Sequence, residues 1–196
     1  MAGAPDEKPL RLFVAADVPR VNERHIADTL APWRERLPGG RWESPEKWHV
    51  TLRFLGPTPP ALVSRVEEAA RAAAGEVDPF EVRLGALGIF PGPRRARVLW
   101  VGLDDPADGL RRLAERLERG LAGVVPAEPR GFNAHLTVAR FRDPVRVEDP
   151  EALTATRVPG EPFVVDHVVL YRSHLMGARG SRYEVVGSYA LGGGDG

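Results

Sequence analysis

The sequence contains no cysteine and almost no lysine. The absence of cysteine excludes disulfides, thiol nucleophiles and thiolate metal sites. Lysine occurs only at Lys8 and Lys47, so 25 of the 27 basic residues are arginine, and we attribute most of these arginines to genomic base composition. The formal net charge is zero, which argues against a protein that coats nucleic acid through a basic surface. A local basic cleft that binds one nucleotide end is compatible with this balance.

Long hydrophobic runs are also missing. No apolar run approaches the ~20 residues of a transmembrane helix, and the first residues, Met1 to Pro9, are polar rather than signal-like. We therefore expect a cytoplasmic protein that makes no contact with membranes. We also expect it to be a monomer. The chain is long enough for one domain or two small lobes. We predict a flexible N-terminus over residues 1–10, a single bilobal domain over 11–191 and a disordered glycine-rich tail over 192–196.

A tetrapeptide occurs twice in the sequence, as His49-Val50-Thr51-Leu52 and as His135-Leu136-Thr137-Val138. Each copy lies in a run that predicts a β-strand, and because successive side chains alternate, the histidine and threonine of each copy share one face. One such triplet is common by chance. These two copies are 86 residues apart, and each histidine follows an apolar strand by the same 36 residues, counted from Phe13 and from Leu99. The repetition indicates an internal duplication.

Two facing strands that each present an imidazole and a hydroxyl suit acid–base chemistry at phosphorus. Two histidines with ordinary pKa values near ~6.5 can hold opposite protonation states at neutral pH. One can activate water while the other protonates the leaving oxygen, and the hydroxyls of Thr51 and Thr137 can donate to the phosphoryl oxygens. This scheme needs no metal and no other cofactor, and no acidic cluster at ligand spacing is evident. The spacing does not assign the two histidine roles.

The remaining pattern interleaves strands with a few helices, which is typical of α+β or α/β proteins. We predict strands over residues 12–16, 48–55, 80–89, 97–103 and 135–141, and two further β segments over 163–172 and 181–191 around a loop at 173–180. Apolar residues at steps of three and four predict three helices, marked by the stripes Ile26, Leu30, Trp33 and Leu37; Leu62, Val63, Val66, Ala69, Ala70 and Ala73; and Leu110, Leu113, Leu117 and Leu121.

Several blocks together resemble a known family. The paired motifs, the opening Arg-Leu-Phe-Val-Ala-Ala-Asp-Val-Pro at 11–19, the motif block at 48–56 and Leu-Tyr-Arg-Ser at 170–173 resemble the RNA 2′,3′-cyclic phosphodiesterases. These enzymes, also called 2′-5′ RNA ligases, belong to the two-histidine phosphoesterase superfamily. The resemblance extends in order from about residue 11 to residue 191, although Ala134 stands where the family usually has proline.

The resemblance implies both a fold and an activity. The fold is α+β, with two pseudo-symmetric lobes of antiparallel β-sheet, helices packed outside and the active cleft between the lobes. The activity is metal-independent hydrolysis of RNA 2′,3′-cyclic phosphodiester ends to 2′-phosphates, with a capacity for reversible 2′-5′ joining of RNA ends. By the same resemblance His49 is the proton donor and His135 the proton acceptor. The implied partners are RNA ends or nucleotides that carry a 2′,3′-cyclic phosphate.

Four further residues are weaker candidates. Arg140 matches the family arginine after the second motif and is a candidate phosphate ligand, although strict alternation from His135 puts it on the opposite face. Phe13 is a candidate for stacking on a base, although packing in the core is the favoured interpretation. By alternation Arg53 shares the face of the first motif histidine, and we expect a solvated strand-end arginine there. His174 is a candidate to approach the cleft, whereas His25 and His167 are expected outside it.

Two other functions stay open. One is a two-histidine phosphoesterase acting on a small cyclic nucleotide such as ADP-ribose 1″,2″-cyclic phosphate, which would show no preference for an oligonucleotide. The other is a non-catalytic binder of RNA ends, which would bind without turnover. A serine-hydrolase function is disfavoured because no Gly-x-Ser-x-Gly elbow is present.

Overall fold

The computed structural model describes residues 8–177 and 180–193. These residues contain nine strands and four α-helices. The strands are β1 (Leu10–Asp17), β2 (Gly40–Trp42), β3 (His49–Thr58), β4 (Phe80–Phe90), β5 (Ala96–Asp104), β6 (His135–Val145), β7 (Phe163–Val165), β8 (His167–Leu175) and β9 (Ser181–Ala190). The helices are α1 (Glu23–Arg36), α2 (Val63–Gly75), α3 (Gly109–Gly120) and α4 (Pro150–Ala155). None of the described helices is both long and apolar enough to cross a membrane.

The strands form one antiparallel sheet with two matching halves. Its order is β7-β4-β5-β6-β3-β1-β8-β9, and β2 pairs with β6 beside this path. Each half has a motif strand at its inner edge, and the halves meet where β3 pairs with β6. Within the described residues this joint consists of a single register pair, Val50 with Leu136. The predicted α+β fold with two pseudo-symmetric antiparallel lobes is confirmed, and the two lobes share one continuous sheet.

The sheet is curled, as the path of the chain from β7 to β8 requires. β7 pairs with β4 at one edge of the sheet, whereas β8 pairs with β1 near the other. Only Asp166 separates these two strands in sequence, so the edges must approach each other. The sequence suggested a single β segment over 163–172 and a loop from 173. Those boundaries were wrong, because the partners of β7 and β8 lie far away in sequence and only one residue, Asp166, separates the two strands.

The helices fix which face of the sheet is polar. Most residues of the predicted stripes are buried on α1, α2 and α3, and the motif strands bury Val50, Leu52, Leu136 and Val138. Burial of each such aliphatic side chain stabilises the fold by ~1.5–3 kcal/mol. A one-residue slip of either strand would turn this apolar set outward. The buried face therefore holds the motif histidines and threonines on the open face.

The predicted termini lie mostly outside the described residues, which exclude 1–7 and 194–196. The first strand begins at Leu10, inside the segment expected to be flexible. Gly192, the first residue of the expected tail, donates its backbone N–H to the Val77 carbonyl at 2.9 Å. The short elements β2 and α4 had no sequence prediction.

Candidate active site

The two motif histidines are held in the same way. His49 Nδ1 lies 2.7 Å from the Lys47 carbonyl oxygen, and His135 Nδ1 lies 2.8 Å from the Asn133 carbonyl oxygen. A carbonyl oxygen only accepts hydrogen bonds, so Nδ1 carries the proton in each neutral ring and Nε2 keeps a free lone pair. In both copies the acceptor lies two residues before the histidine. The two copies of the motif thus share the tautomer as well as the residue.

The surroundings of both histidines favour the neutral ring in the unliganded protein. Burial lowers the pKa of His49 to about 4, against the opposing effect of its bond to the Lys47 carbonyl. Burial also lowers the pKa of His135, and the positive charge of Arg140 lowers the pKa of both rings further. An anion bound between the rings would act in the opposite direction, because it favours their charged forms.

The motif threonines lie on the same face as the histidines. Thr51 and Thr137 are partly buried, and each alternates with buried aliphatic neighbours. Along a strand, residues two apart on one face are separated by ~6.6 Å. The structure therefore brings together the four polar groups that the sequence predicted, two imidazoles and two hydroxyls, at the joint between the half-sheets.

Three aromatic rings surround His49. The Phe13 ring centroid lies 4.9 Å from that of His49 and 5.2 Å from that of Tyr171, and the Tyr183 ring meets His49 edge-on at 5.3 Å. Phe13 is only 4% exposed. Phe13 thus packs in the core, as the sequence favoured, and β8 and β9 bring the two tyrosines against it. Phe13 supports the histidine from within the core.

Tyr171 links the aromatic cluster to the strand beside His49. Its hydroxyl donates to the Asp17 carboxylate, with oxygen distances of 2.8 and 3.0 Å, and Asp17 is the register partner of His49. Burial and the bond to Asp17 raise the pKa of Tyr171. Burial also raises the pKa of Tyr183, with a further contribution from Glu43. Sequence reasoning missed both tyrosines, because their strands reach the cleft through the pairing of β8 with β1 and of β9 with β8, between segments far apart in sequence.

A second aromatic cluster stands beside His135. The Phe90 ring meets it edge-on at 5.2 Å, and the Trp100 ring lies 6.1 Å away. Gly88 is the register partner of Trp100, and a Cβ at Gly88 would collide with the indole. Glycine at this position thus allows the indole to lie against β4. Each histidine is therefore backed by aromatic rings from its own half of the sheet.

Arg140 lies on the histidine face, against strict alternation. Val138 and Ala139 are buried in succession, and the pairing of β5 with β6 shifts register between Leu99 and Trp100. Such an irregularity moves the following side chain to the other face. Arg140 is half exposed, and its Nε lies 3.8 Å from the carboxylate of Glu43.

Glu43 is a buried acid that joins two arginines. Its carboxylate accepts a hydrogen bond from Arg41 at 3.0 Å in addition to its ion pair with Arg140. Its backbone carbonyl accepts a hydrogen bond from the Trp48 indole at 3.1 Å. Glu43 thereby connects the arginine of the second motif strand with the segment that leads into the first. No sequence signal indicated this residue.

Arg53 is buried rather than solvated, so its predicted environment was wrong. Leu52 and Arg53 are buried in succession, and the side chain of Arg53 is 5% exposed. Its Nε lies 2.5 Å from Glu118 of α3, and its guanidinium donates to the carbonyls of Phe54 at 2.6 Å and Pro126 at 2.5 Å. A bulge in β3, seen as a register shift against β1, turns the side chain inward. Arg53 ties the first motif strand to the helix side of the sheet.

The other histidines make local contacts. His25 lies on α1, and His167 lies 2.5 Å from Asp166 at the start of β8. His174 Nε2 lies 2.6 Å from Glu184 across the β8–β9 hairpin. In residues 8–177 and 180–193, no group of three or more histidine, aspartate or glutamate side chains could hold a metal ion.

Comparisons with known proteins agree with this architecture. The family model described as the 2′-5′ RNA ligase superfamily matches residues 23–175. An RNA 2′,3′-cyclic phosphodiesterase of Aquifex aeolicus is 33% identical over 158 residues, which are 79% of this chain and 83% of that protein. A Geobacillus stearothermophilus protein of the same name is 32% identical over 181 residues, 91% of this chain and 56% of the relative. The crystal structure of E. coli LigT complexed with 3′-AMP is similar with a TM-score of 0.72 and 28% identity, covering 93% of this chain and 98% of that one. The chain belongs to the 2′-5′ RNA ligase superfamily.

Proposed function

We propose that the protein hydrolyses RNA 2′,3′-cyclic phosphodiester ends to 2′-phosphates, with His49 and His135 as proton donor and acceptor and without a metal ion. The observation that supports this most is the matched pair of imidazoles, each with Nδ1–H bound to a backbone carbonyl and Nε2 available for the substrate. Curated relatives named RNA 2′,3′-cyclic phosphodiesterase support the choice of substrate.

In the proposed reaction, Nε2 of His135 takes a proton from water while the water oxygen attacks phosphorus. The bond between phosphorus and O3′ breaks, and Nε2 of protonated His49 donates its proton to O3′. The products are a free 3′-hydroxyl and a 2′-phosphate. The carbonyl bonds hold both rings in orientation throughout, as a carboxylate does for the histidine of a catalytic triad. The division of roles rests on the family resemblance.

The substrate itself helps to create the active protonation state. The surroundings favour the neutral form of both imidazoles before binding, and a bound phosphodiester anion favours protonation of the ring beside it. Because burial disfavours the charged form of His49, the protonated ring readily gives up its proton once the leaving oxygen gains negative charge. Arg140 and the hydroxyls of Thr51 and Thr137 are proposed to bind the phosphoryl oxygens, where negative charge builds up during attack.

The same groups can account for 2′-5′ joining. If the 5′-hydroxyl of a second RNA replaces water, His135 takes the hydroxyl proton while O5′ attacks phosphorus. The bond to O3′ again breaks with protonation by His49, and a 2′-5′ phosphodiester remains. Hydrolysis and joining then differ only in the nucleophile.

A single assay tests this function. We expect the protein to convert an oligonucleotide with a 2′,3′-cyclic end to the 2′-phosphate at the same rate with and without EDTA, with the product compared by chromatography with authentic 2′-phosphate and 3′-phosphate standards. Loss of turnover in EDTA that one metal restores would contradict metal independence. Equal rates on ADP-ribose 1″,2″-cyclic phosphate would favour a small-nucleotide enzyme, and binding without turnover would favour an RNA-end binder.

A further inference from the structure

Phe54 is an exposed aromatic side chain on the face of the sheet that carries the histidines. Leu52 and Arg53 are buried in succession, so the next side chain, Phe54, returns to the side of His49 and Thr51. Phe54 is 40% exposed, and every other aromatic residue in the described part of the chain is buried or partly buried. Exposure of a phenylalanine costs apolar contact, and neither the fold nor the proposed acid–base chemistry uses this ring.

Arg11 of the neighbouring strand β1 holds the ring. Its guanidinium carbon lies 4.6 Å from the centroid of Phe54, a cation–π contact. The guanidinium covers one side of the ring, while 40% of the residue stays open to solvent. An aromatic ring held beside a cation can bind a nucleobase together with a neighbouring phosphate, because bases stack on aromatic rings and phosphates pair with arginine.

Phe54 and Arg140 occupy equivalent positions in the two halves. Each is the fifth residue after its motif histidine, and each follows two consecutive buried residues. Because β3 and β6 run antiparallel through the Val50–Leu136 pair, the two positions lie on opposite sides of that joint. One end of the cleft therefore carries Arg140, and the other carries the Phe54 ring with Arg11 against it.

The distance along β3 selects which base could reach the ring. Phe54 lies four residues beyond Val50, and at ~3.3 Å per residue with one step shortened by the bulge, it is about 10 to 13 Å from the joint. The reacting phosphate would sit over the joint, between the two histidines. A terminal nucleoside cannot extend its own base that far from its own phosphate, whereas the preceding nucleotide can.

We propose that Phe54, held by Arg11, stacks on the nucleobase that precedes the cyclic end, so that the protein prefers an oligonucleotide over a cyclic mononucleotide. This proposal rests on the proposed function. It narrows the substrate class to RNA strands of at least two nucleotides. Because every base has a π face, the preference concerns the presence of a base and tolerates its identity.

The test compares kcat/KM on a cyclic mononucleotide, a dinucleotide ending in the cyclic phosphate, and the same dinucleotide without its first base. Stacking contributes ~1–3 kcal/mol per base, which corresponds to about 5- to 150-fold. We expect Phe54→Ala to lower kcat/KM on the complete dinucleotide within this range, mainly through KM. The other two substrates should change less than about twofold, because neither has a base for the ring.

Two further variants separate stacking from packing. Phe54→Leu keeps apolar bulk without a π face and should behave like Phe54→Ala. Phe54→Trp keeps an aromatic face and should turn over the dinucleotide about as well as the wild type. Val164→Ala, at an exposed residue on the edge strand β7, is the matched control and should alter none of the three substrates. The leucine and tryptophan variants retain a large apolar side chain, so the comparison survives if the alanine variant fails to fold.

Unchanged dinucleotide kinetics in Phe54→Ala, or equal losses on all three substrates, would overturn the proposal. In either case wild-type turnover of the cyclic ends leaves the proposed function intact. Wild-type protein that turns over none of the three substrates contradicts the proposed function itself, so the two failures are distinguishable.

Discussion

Val50 pairs with Leu136 at the joint between the half-sheets, and each residue directly follows a motif histidine. In an antiparallel pair this places His49 and His135 on either side of a local twofold axis. Both rings then project from the same face, from strands that run in opposite directions. The Val50–Leu136 pair thus brings the two imidazoles close together on one face of the sheet.

Replacement of either motif histidine should nearly abolish turnover. Loss of one general acid or base costs ~10²–10⁴-fold, so we expect losses of this size in kcat for His49→Ala and for His135→Ala. The double variant should be little worse than either, because the pair acts as a unit. His25→Ala on α1 is the matched control and should retain activity. A motif variant that keeps more than about a tenth of wild-type turnover contradicts the mechanism.

The threonine hydroxyls should contribute less than the histidines. If each bonds a phosphoryl oxygen, Thr51→Ala and Thr137→Ala should lower kcat/KM by an amount equivalent to ~1–3 kcal/mol. Thr51→Ser and Thr137→Ser keep the hydroxyl and should recover most of the loss. If the serine variants are no better than the alanine variants, the threonines act through packing of the strand.

The lowered histidine pKa values predict an unusual pH profile. The reactive form has one protonated and one neutral histidine, and both pKa values lie below the ordinary 6.5 in the free protein. Above the higher of the two, kcat/KM should fall about tenfold per pH unit. Bound phosphodiester raises the pKa values, so the alkaline limb of kcat should lie at higher pH. A kcat/KM profile that is flat from pH 6.5 to about 8 contradicts this prediction.

Arg140 offers a direct test of the same electrostatics. Its charge lowers both histidine pKa values, so Arg140→Gln should move the alkaline limb of kcat/KM to higher pH while it reduces kcat/KM at the optimum. An unmoved limb would show that burial alone sets the pKa values.

Replacement of the bridging O3′ by sulfur should identify the proton donor. A thiolate leaves with little need of a proton, so His49→Ala should regain much of its lost turnover on the 3′-thio cyclic substrate. His135→Ala lacks the group that activates water and should stay inactive on both substrates. Rescue of His135→Ala instead reverses the roles, and rescue of neither means that the rings mainly position the phosphate.

Arg53→Met should destabilise the fold. Removal of the guanidinium leaves Glu118 without its cation and two carbonyls without their donor. Loss of one partner from a buried pair costs ~3–5 kcal/mol, and partial exposure of Glu118 reduces this to about 2–4 kcal/mol. Urea unfolding measures the change. Arg24→Met removes an exposed pair with Asp28 and should unfold like wild type, and an equal effect of the two variants would contradict the argument.

The sequence alone predicted those features that depend on a local or repeated pattern of residues. Apolar stripes located the three longer helices, and the duplicated motif located the histidines and threonines. The bulges were not predictable, because they arise from the register between strands that are distant in sequence. They reverse the expected faces of Arg53 and Arg140, and they also bring Phe54 to the open face. Tyr171 and Tyr183 were missed for a related reason, since the long-range pairing of β8 with β1 and of β9 with β8 places them at the cleft.

The unlike residues at the equivalent positions Phe54 and Arg140 bear on regiochemistry. A 2′,3′-cyclic phosphate presents two ester bonds of nearly equal reactivity, to O2′ and to O3′. A cleft with perfect twofold symmetry would accept the ring in either sense and release a mixture of isomers. With the Phe54 ring at one end and Arg140 at the other, an RNA strand that stacks on Phe54 has one preferred direction across the joint. Under the proposed function and the proposed stacking, the difference between these two equivalent positions thereby determines which oxygen departs.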